Sequence, residues 1–491
     1  MNRNVGIIGA GLGGLSAAIH LARRGKNVTV YESNSTPGGK ASEVRMDGFR
    51  FDTGPSLITM PFVIEQLYDV AGTPANERIQ LIPVDPICRY FYPDGTVLDA
   101  CASEEEFRTQ VRTLAPSDAE AVTRFLDYSQ RIYELTSDIF LFHSLSDLKS
   151  LLRWKNLPTL LRLPQIDAFH TVHERVQSYF RDPRLVQLFD RYATYNGSNP
   201  FTAPATLNII PYVEYRLGAS YVHGGIYALV RSLESAARSL GVSFRYDTPV
   251  EGIVVEGGRV RGVRTADGTC AHDAVVSNAD AVHTMTTLLG GAGSDAVKRA
   301  RRYGKLEPSC SGLVFLWGVR GRNDSLAHHN IVFSDNYAEE FDAIFTRRVA
   351  PSDPTVYVSI TSRADPEHAP EGHENWFVLV NMPALTDANR DTDIGSVRTA
   401  VLRRLHAAGF DIAGDIVCEE TITPSDLERR YNANKGSIYG ISSNSRNAAF
   451  LRPRNRIGSP EGLYLCGGSA HPGGGVPLVL LSGKLAAEAV A

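Results

Sequence analysis

The sequence predicts an α/β fold, α+β overall, on three observations. Near the N-terminus a short apolar run leads into a glycine-rich turn and then a helix-periodic stretch. The same strand, glycine turn, helix order returns at the C-terminus. Between the two, period-two segments and amphipathic helical stretches alternate. At 491 residues the chain is long for one domain. With 43% hydrophobic and 21% charged residues it is neither a disordered chain, nor a collagen-like fibre, nor a small disulfide scaffold. A net charge of −4 offers no basic field for nucleic acid.

The elements follow in order. Residues 5–8 (VGII) read as a buried parallel strand. A glycine turn, the helical LSAAIHLARRG and the strand NVTVYE complete a βαβ unit. Residues 75–110 alternate, with PDGT at 93–96 as a hairpin turn. From about 103 to 190 the pattern is helical. Residues 207–222 and 242–276 are expected as strands, with turns at Gly257-Gly258 and Asp267-Gly268. Strands return at 310–320 and 355–382, a helix at 396–408, and the Pro/Asp-rich 350–372 is the loop candidate.

The N-terminal turn, GAGLGG, places Gly9, Gly11 and Gly14 in G-x-G-x-x-G spacing, with Gly13 inside the run. Gly9 permits a tight turn, Gly11 lets backbone approach a pyrophosphate, and Gly14 lets the helix pack on the strand. Glu32 closes the second strand, where a carboxylate accepts ribose hydroxyls and repels a 2′-phosphate. The unit is therefore Rossmann-like. Gly38, Gly39 and Lys40, then Gly54 and Pro55, extend the motif past what a nicotinamide dehydrogenase needs. Lys40 is expected near the pyrophosphate. Gly467, Gly468 and Ser469, then Val476 and Pro477 at the start of the final helix, supply a second set of backbone donors. A long cofactor threaded between two such turns fits a flavin dinucleotide, FAD.

These residues carry a resemblance. Residues 5–55, YVHGGIYALVRSLE (221–234), VVSNADAVHT (276–285) and LYLCGGSAHPGGGVPLV (463–479) resemble the bacterial-type phytoene desaturase family. Its members are FAD-dependent carotenoid desaturases within the wider amine-oxidase-like flavoproteins. The resemblance implies a Rossmann-like FAD-binding domain of discontinuous segments, 1–72, 222–290 and 455–491. It implies a mixed-sheet substrate domain, 73–110, 205–221 and 291–454, and a helical membrane-facing subdomain, 111–204. It also implies that Val250, in the strand after Asp247-Thr248-Pro249, meets the adenine side through its backbone. The wider group often carries Gly-Asp where this chain has Cys466-Gly467-Gly468, so contacts there fall to backbone N–H groups.

No second nucleotide fingerprint is apparent, because Gly290-Gly291-Ala292-Gly293 reads as a loop. Electrons are expected to leave to a quinone or oxygen. The six cysteines form no CxxC, so no metal site is expected. The N-terminus enters a strand with no signal-peptide core, and no apolar window is long enough to span a bilayer. The stretch 139–166 is apolar with Lys149, Arg153, Lys155 and Arg162 against Asp147, and is broken by Pro158 and Pro164. It is expected to rest on a membrane, its basic residues toward anionic headgroups. The chain is accordingly placed in the cytoplasm, peripherally on the inner face of the membrane.

The run 191–201 resembles the 1-hydroxycarotenoid 3,4-desaturase subgroup. Tyr195, Asn196 and Ser198 are its candidates for binding a terminal tertiary alcohol of a lipophilic carotenoid. The implied reaction is 3,4-desaturation of an acyclic 1-hydroxycarotenoid. The alternatives are a phytoene desaturase or other carotenoid oxidase of the family, then an amine or protoporphyrinogen oxidase. No proton acceptor is assigned: His471 is expected as a structural histidine bonded to backbone.

Overall fold

The computed structural model describes residues 3–143, 166–290, 294–445 and 452–490. Its nucleotide-type sheet has five strands in the order Ser243–Arg245, β2 (Asn27–Tyr31), β1 (Asn4–Ile8), Ala274–Ser277 and Leu463–Leu465. All its pairings are parallel. Val5 and Ile7 are fully buried, as strands covered on both faces require. Helix α1 (Leu12–Arg23) is buried from Leu12 through Leu21, the pattern of a core helix. It packs on the C-terminal helix Val476–Ala489. Gly483 makes this contact possible, since a Cβ there would lie 2.3 Å from Gly13 O.

The second sheet has seven strands. Their order is Ile416–Ile422, Ser311–Arg320, His373–Met382, Val356–Ser359, His329–Val332, Cys88–Phe91 and Val97–Ala100. All pairs are antiparallel except His329–Val332 with Cys88–Phe91. Period-two alternation sorts its side chains. Leu313, Phe315, Trp317, Val356, Val358, Val378 and Val380 pack with Val397, Val401 and Leu405 of the helix Ile394–Ala407. Gly312, Val314, His329, Ile331, Tyr357, Phe377 and Leu379 face a cavity on the other side.

A helical layer closes that cavity. The helix Glu104–Leu114 starts at Ser103, whose side chain accepts from Glu106 N, and Val172–Tyr179 starts with a Thr171/Glu174 capping box. Phe107, Phe125, Phe180 and Phe189 are the centre of its core.

Four expectations need correction. Residues 207–222 hold a strand only at Ala219–Val222; Ile209–Tyr215 is a helix. Its β-branched and aromatic residues suit a strand, but helical spacing places Ile209, Ile210 and Val213 in the cavity wall, and packing overrides propensity. Val250 lies in irregular backbone two residues before the strand Gly252–Glu256. The proposed loop 350–372 contains the strand Val356–Ser359, which Val356 and Val358 anchor in the core. The turn expected at Asp267-Gly268 sits one residue earlier, because Gly268 already pairs with Thr265. The segment boundaries also meet a mixed case. The hairpin Glu43–Met46/Phe49–Asp52 falls within 1–72, yet Phe49 and Phe51 pack with Val314, Leu316 and Phe377 of the seven-stranded sheet.

Candidate active site

A cavity of about 730 Å³ runs between the two sheets. Gly9 and Gly11 border it at one end. Gly9 has φ +92°, a conformation that glycine adopts without strain. A Cβ on Gly14 would stand 2.1 Å from Gly9 O, so α1 can begin this close to the turn only with glycine there. A Cβ on Gly13 would stand 2.9 Å from the Gly467 backbone, which joins the two glycine turns. Asn278, to which sequence reasoning gave no role, is the hub. Its side chain lies where a Cβ on Gly11, Gly13 or Gly467 would go, within 2.7 Å in each case, and its backbone N donates to Ile8 O at 2.8 Å.

The start of α1 has no side-chain cap and no acidic residue in its first turn. Its unpaired N–H groups and positive dipole end are available to an anion. Glu32, 5% exposed, directly follows β2 in the cavity wall. Its carboxylate accepts from Ala10 N at 2.7 Å, Asn34 N at 2.9 Å and Asn34 Nδ2 at 2.7 Å. Open N–H groups, a turn of glycines and a carboxylate bonded to that turn fit the diphosphate and ribose of FAD.

Gly38, Gly39, Lys40, Gly54 and Pro55 also line the cavity. A Cβ on Gly54 would lie 2.2 Å from Lys40 O, so the two segments run in close contact. The Lys40 ammonium donates to Ser437 O at 3.0 Å and Ile438 O at 2.7 Å. Burial lowers it to about 8, opposed by Asp280. In this structure Lys40 thus ties the cradle to the 437–438 backbone.

At the C-terminal turn Gly468, Ser469, Val476 and Pro477 line the cavity, as does Val250. Gly467 sits behind them and donates its N–H to Ser482 Oγ at 3.1 Å. Ser469 Oγ accepts from Ala281 N at 2.8 Å. His471 Nε2 lies 3.1 Å from the His143 carbonyl, and burial lowers its imidazole to about 4, so it is neutral.

The rest of the wall is largely apolar, with Leu57, Ile87, Ile209, Ile210, Val213 and Ile331. Arg191, Tyr195 and Asn196 make its polar patch. The Arg191 guanidinium sits 4.5 Å from the Tyr192 ring centre and 3.6 Å from Glu214 Oε1. Tyr192 and Tyr195 both donate to the Glu214 carboxylate. The Tyr195 hydroxyl is therefore committed to this buried network. Ser198 lies off the cavity: its hydroxyl accepts from Ser443 N at 2.9 Å and donates to Asn196 O. Of the three substrate candidates, Asn196 lines the cavity and stands outside the Glu214 network. On the sheet side, Tyr357 Oη bridges Ser56 Oγ at 2.6 Å and His329 Nδ1 at 2.8 Å. Burial, His328 and Arg191 push His329 well below its ordinary value.

Lys149, Arg153 and Lys155 lie outside the described residues, as do Asp147 and Arg162 and the Gly291–Gly293 part of the predicted loop. The chain on either side of 144–165 does line the cavity, through Phe140, Leu141, Ile166 and Ala168. Among the described residues no helix is long and apolar enough to cross a membrane. His223, Asp365 and Glu367 come together away from the cavity, where Asp365 accepts from Tyr221 Oη and Gly224 N.

Comparison with known proteins agrees with this geometry. The family model for flavin containing amine oxidoreductase matches residues 12–311. A 1-hydroxycarotenoid 3,4-desaturase of Flavobacterium sp. (strain P99-3) is 36% identical over 99% of this chain and 98% of its own length. A 4,4'-diapolycopene oxygenase of Methylomonas sp is 38% identical over 100% of this chain and 98% of its own. The crystal structure of an oxidoreductase from Methanosarcina mazei has the same fold, with a TM-score of 0.64 over 99% of this chain and 100% of that one at 19% identity.

Proposed function

The chain belongs to the flavin-containing amine oxidoreductase family, in its carotenoid desaturase and oxygenase branch, and from that premise we propose that it is a 1-hydroxycarotenoid 3,4-desaturase. It is an FAD-dependent oxidoreductase; the finer assignment is our reading. The observation that carries it is one cavity whose lining combines the glycine cradle, a largely apolar wall and a polar patch at Arg191 and Asn196. A long hydrocarbon with one polar end fits that lining.

FAD, when bound, supplies a two-electron acceptor for hydride. In our proposal Gly9, Gly11 and the start of α1 hold its diphosphate, and Glu32 its adenosine ribose. Gly13 and Gly14 shape that turn, and Gly38, Gly39, Gly54 and Pro55 complete the cradle. Val250 meets the adenine side, Lys40 adds positive charge, and Gly468, Ser469, Val476 and Pro477, backed by Gly467, offer backbone donors at the other end. Ile209, Ile210, Val213, Phe377 and Leu379 orient the polyene and exclude water. Asn196 receives the terminal hydroxyl. A site built around that bond disfavours substrates lacking it, because its amide is left unpaired.

We also propose that the stretch 139–166 associates with the inner face of the membrane and that the carotenoid enters beside Phe140, Leu141, Ile166 and Ala168. A quinone or oxygen then reoxidises the enzyme. The test is incubation of the holoenzyme with an acyclic carotenoid and its 1-hydroxy derivative. A red-shifted product, longer by one conjugated double bond, formed faster from the hydroxylated substrate supports the proposal. Efficient conversion of phytoene without that preference assigns the chain to the general desaturases. Oxygenated products place it with the oxygenases.

A further inference from the structure

Arg452, 6% exposed, lies in the cavity wall beside the C-terminal glycine turn. Its Nη1 donates to Gly468 O at 2.8 Å and Tyr439 O at 3.2 Å, and its Nη2 to Ile441 O at 3.0 Å. All three acceptors are neutral carbonyls. Other buried cations of the wall have carboxylates: Asp280 faces Lys40, and Glu214 stands 3.6 Å from Arg191. Among the described residues no carboxylate lies within ion-pair reach of Arg452, and 446–451 (RNAAFL) contains none. The ionisable groups around this turn add no negative charge: Arg454 is a cation, His471 is neutral, and burial keeps the Tyr439 hydroxyl, whose ring lies against Gly474, protonated. Burial lowers the guanidinium to about 10, so it stays charged at neutral pH.

An uncompensated buried cation is costly unless an anion comes to it. The turn around it is built for close approach. Gly473, with φ +146°, passes in ordinary contact with the guanidinium, and a Cβ on Gly474 would stand 2.4 Å from the Tyr439 ring, so only glycine lets the turn run this close. Gly475 then opens the helix Val476–Ala489 with no side-chain cap, adding the positive end of a helix to the same turn. Desaturation supplies an anion. With FAD bound, one carbon would give up a hydride, whose two electrons and one hydrogen would pass to the flavin and add one negative charge to it. The neighbouring carbon gives up a proton to solvent, and that C–H electron pair closes the double bond.

We propose that Arg452 is the counter-charge for the negative charge that the bound flavin acquires on reduction. This rests on FAD as cofactor and is independent of which carotenoid is oxidised. The rival anion is the FAD diphosphate, which is charged in both redox states.

The test is the two-electron reduction potential of the holoenzyme, Arg452→Gln and Arg452→Lys, with flavin affinity measured in both redox states. Arg452→Gln should favour the reduced flavin at least tenfold less, a fall of about 30 mV. Arg452→Lys keeps the charge and loses the three-carbonyl hold, so it should melt lower with the potential nearly retained. An unchanged potential in Arg452→Gln overturns the proposal. So does an equal shift in both variants, which assigns the effect to backbone hold, or an equal affinity loss in both redox states, which assigns it to the diphosphate. Should both variants lose flavin, the wild-type potential below neutral pH decides. One proton per two electrons gives a slope of about 30 mV per pH unit and supports the counter-charge; about 60 mV overturns it.

Discussion

Glu32 Oε2 accepts a hydrogen bond from the Ala10 amide at 2.7 Å, which joins the end of β2 to the glycine turn. One carboxylate therefore serves the turn's backbone and faces the cavity. Glu32→Ala leaves a buried N–H unpaired and removes the proposed ribose acceptor. Hydrogen bonds to charged groups contribute about 1.5–3 kcal/mol, so FAD should bind roughly ten- to a hundredfold more weakly. Flavin fluorescence on dilution measures this. Full flavin retention would refute the ribose role.

Gly11→Ala and Gly14→Ala should fail differently. The Cβ of Gly14→Ala would meet backbone, Gly9 O at 2.1 Å, so α1 or the turn must move. Overpacking of this kind costs about 1–3 kcal/mol or more, and the variant should lose soluble protein. The Cβ of Gly11→Ala would meet the Asn278 Nδ2 end at 2.7 Å, a side chain that can give way. That variant should fold and hold FAD poorly. Thermal melts of both, with and without added FAD, separate the two outcomes.

The glycine turns, Glu32, the N-terminal βαβ unit and the C-terminal strand, turn and helix were legible because backbone geometry there demands particular residues in fixed order. Asn278 and Arg452 were not. Asn278 acts by filling space that Gly11, Gly13 and Gly467 leave open, and Arg452 by reaching carbonyls of two distant segments. Neither role has a local pattern. Tyr195 was legible as a polar residue in an apolar region, but its commitment to Glu214 depends on a helix that the sequence presented as a strand.

Glu340 makes stability depend on pH. Its Oε2 accepts from Thr355 Oγ1 at 2.6 Å and Ser334 Oγ at 2.9 Å, while Oε1 is buried without a partner. Burial raises the carboxyl from 4.5 to about 7. The folded chain therefore binds the proton more tightly than the unfolded one. The resulting stability is complete below about pH 4.5 and lost as pH rises through 7. The magnitude is about 3 kcal/mol. Asp190 acts in the same direction, and Asp167, Asp182 and Asp365 in the opposite one. The readout is thus a difference: Glu340→Gln should lose less stability than wild type between about pH 5 and 8 in denaturant titrations. Parallel curves would show that Glu340 does not titrate there.

The polar patch separates a structural tyrosine from a substrate-binding amide. In Tyr195→Phe the buried Glu214 loses one donor, at a cost of about 1–3 kcal/mol in stability. Because the hydroxyl already serves Glu214, the preference for a 1-hydroxycarotenoid should survive. Glu214→Leu should be more severe, about 3–5 kcal/mol, since it leaves the Arg191 charge buried among Tyr90, Tyr192 and Tyr195 without its carboxylate. Asn196→Leu should do the reverse of Tyr195→Phe. The fold should be nearly as stable, because Asn196 stands outside that network, while the ratio of kcat/KM for hydroxylated over non-hydroxylated carotenoid should fall by roughly five- to a hundredfold. Most of that change should come from faster reaction of the non-hydroxylated substrate, which no longer covers a half-buried amide without pairing it. A preference lost in Tyr195→Phe and kept in Asn196→Leu would return the hydroxyl-binding role to the tyrosine and require the Glu214 bond to break when substrate enters.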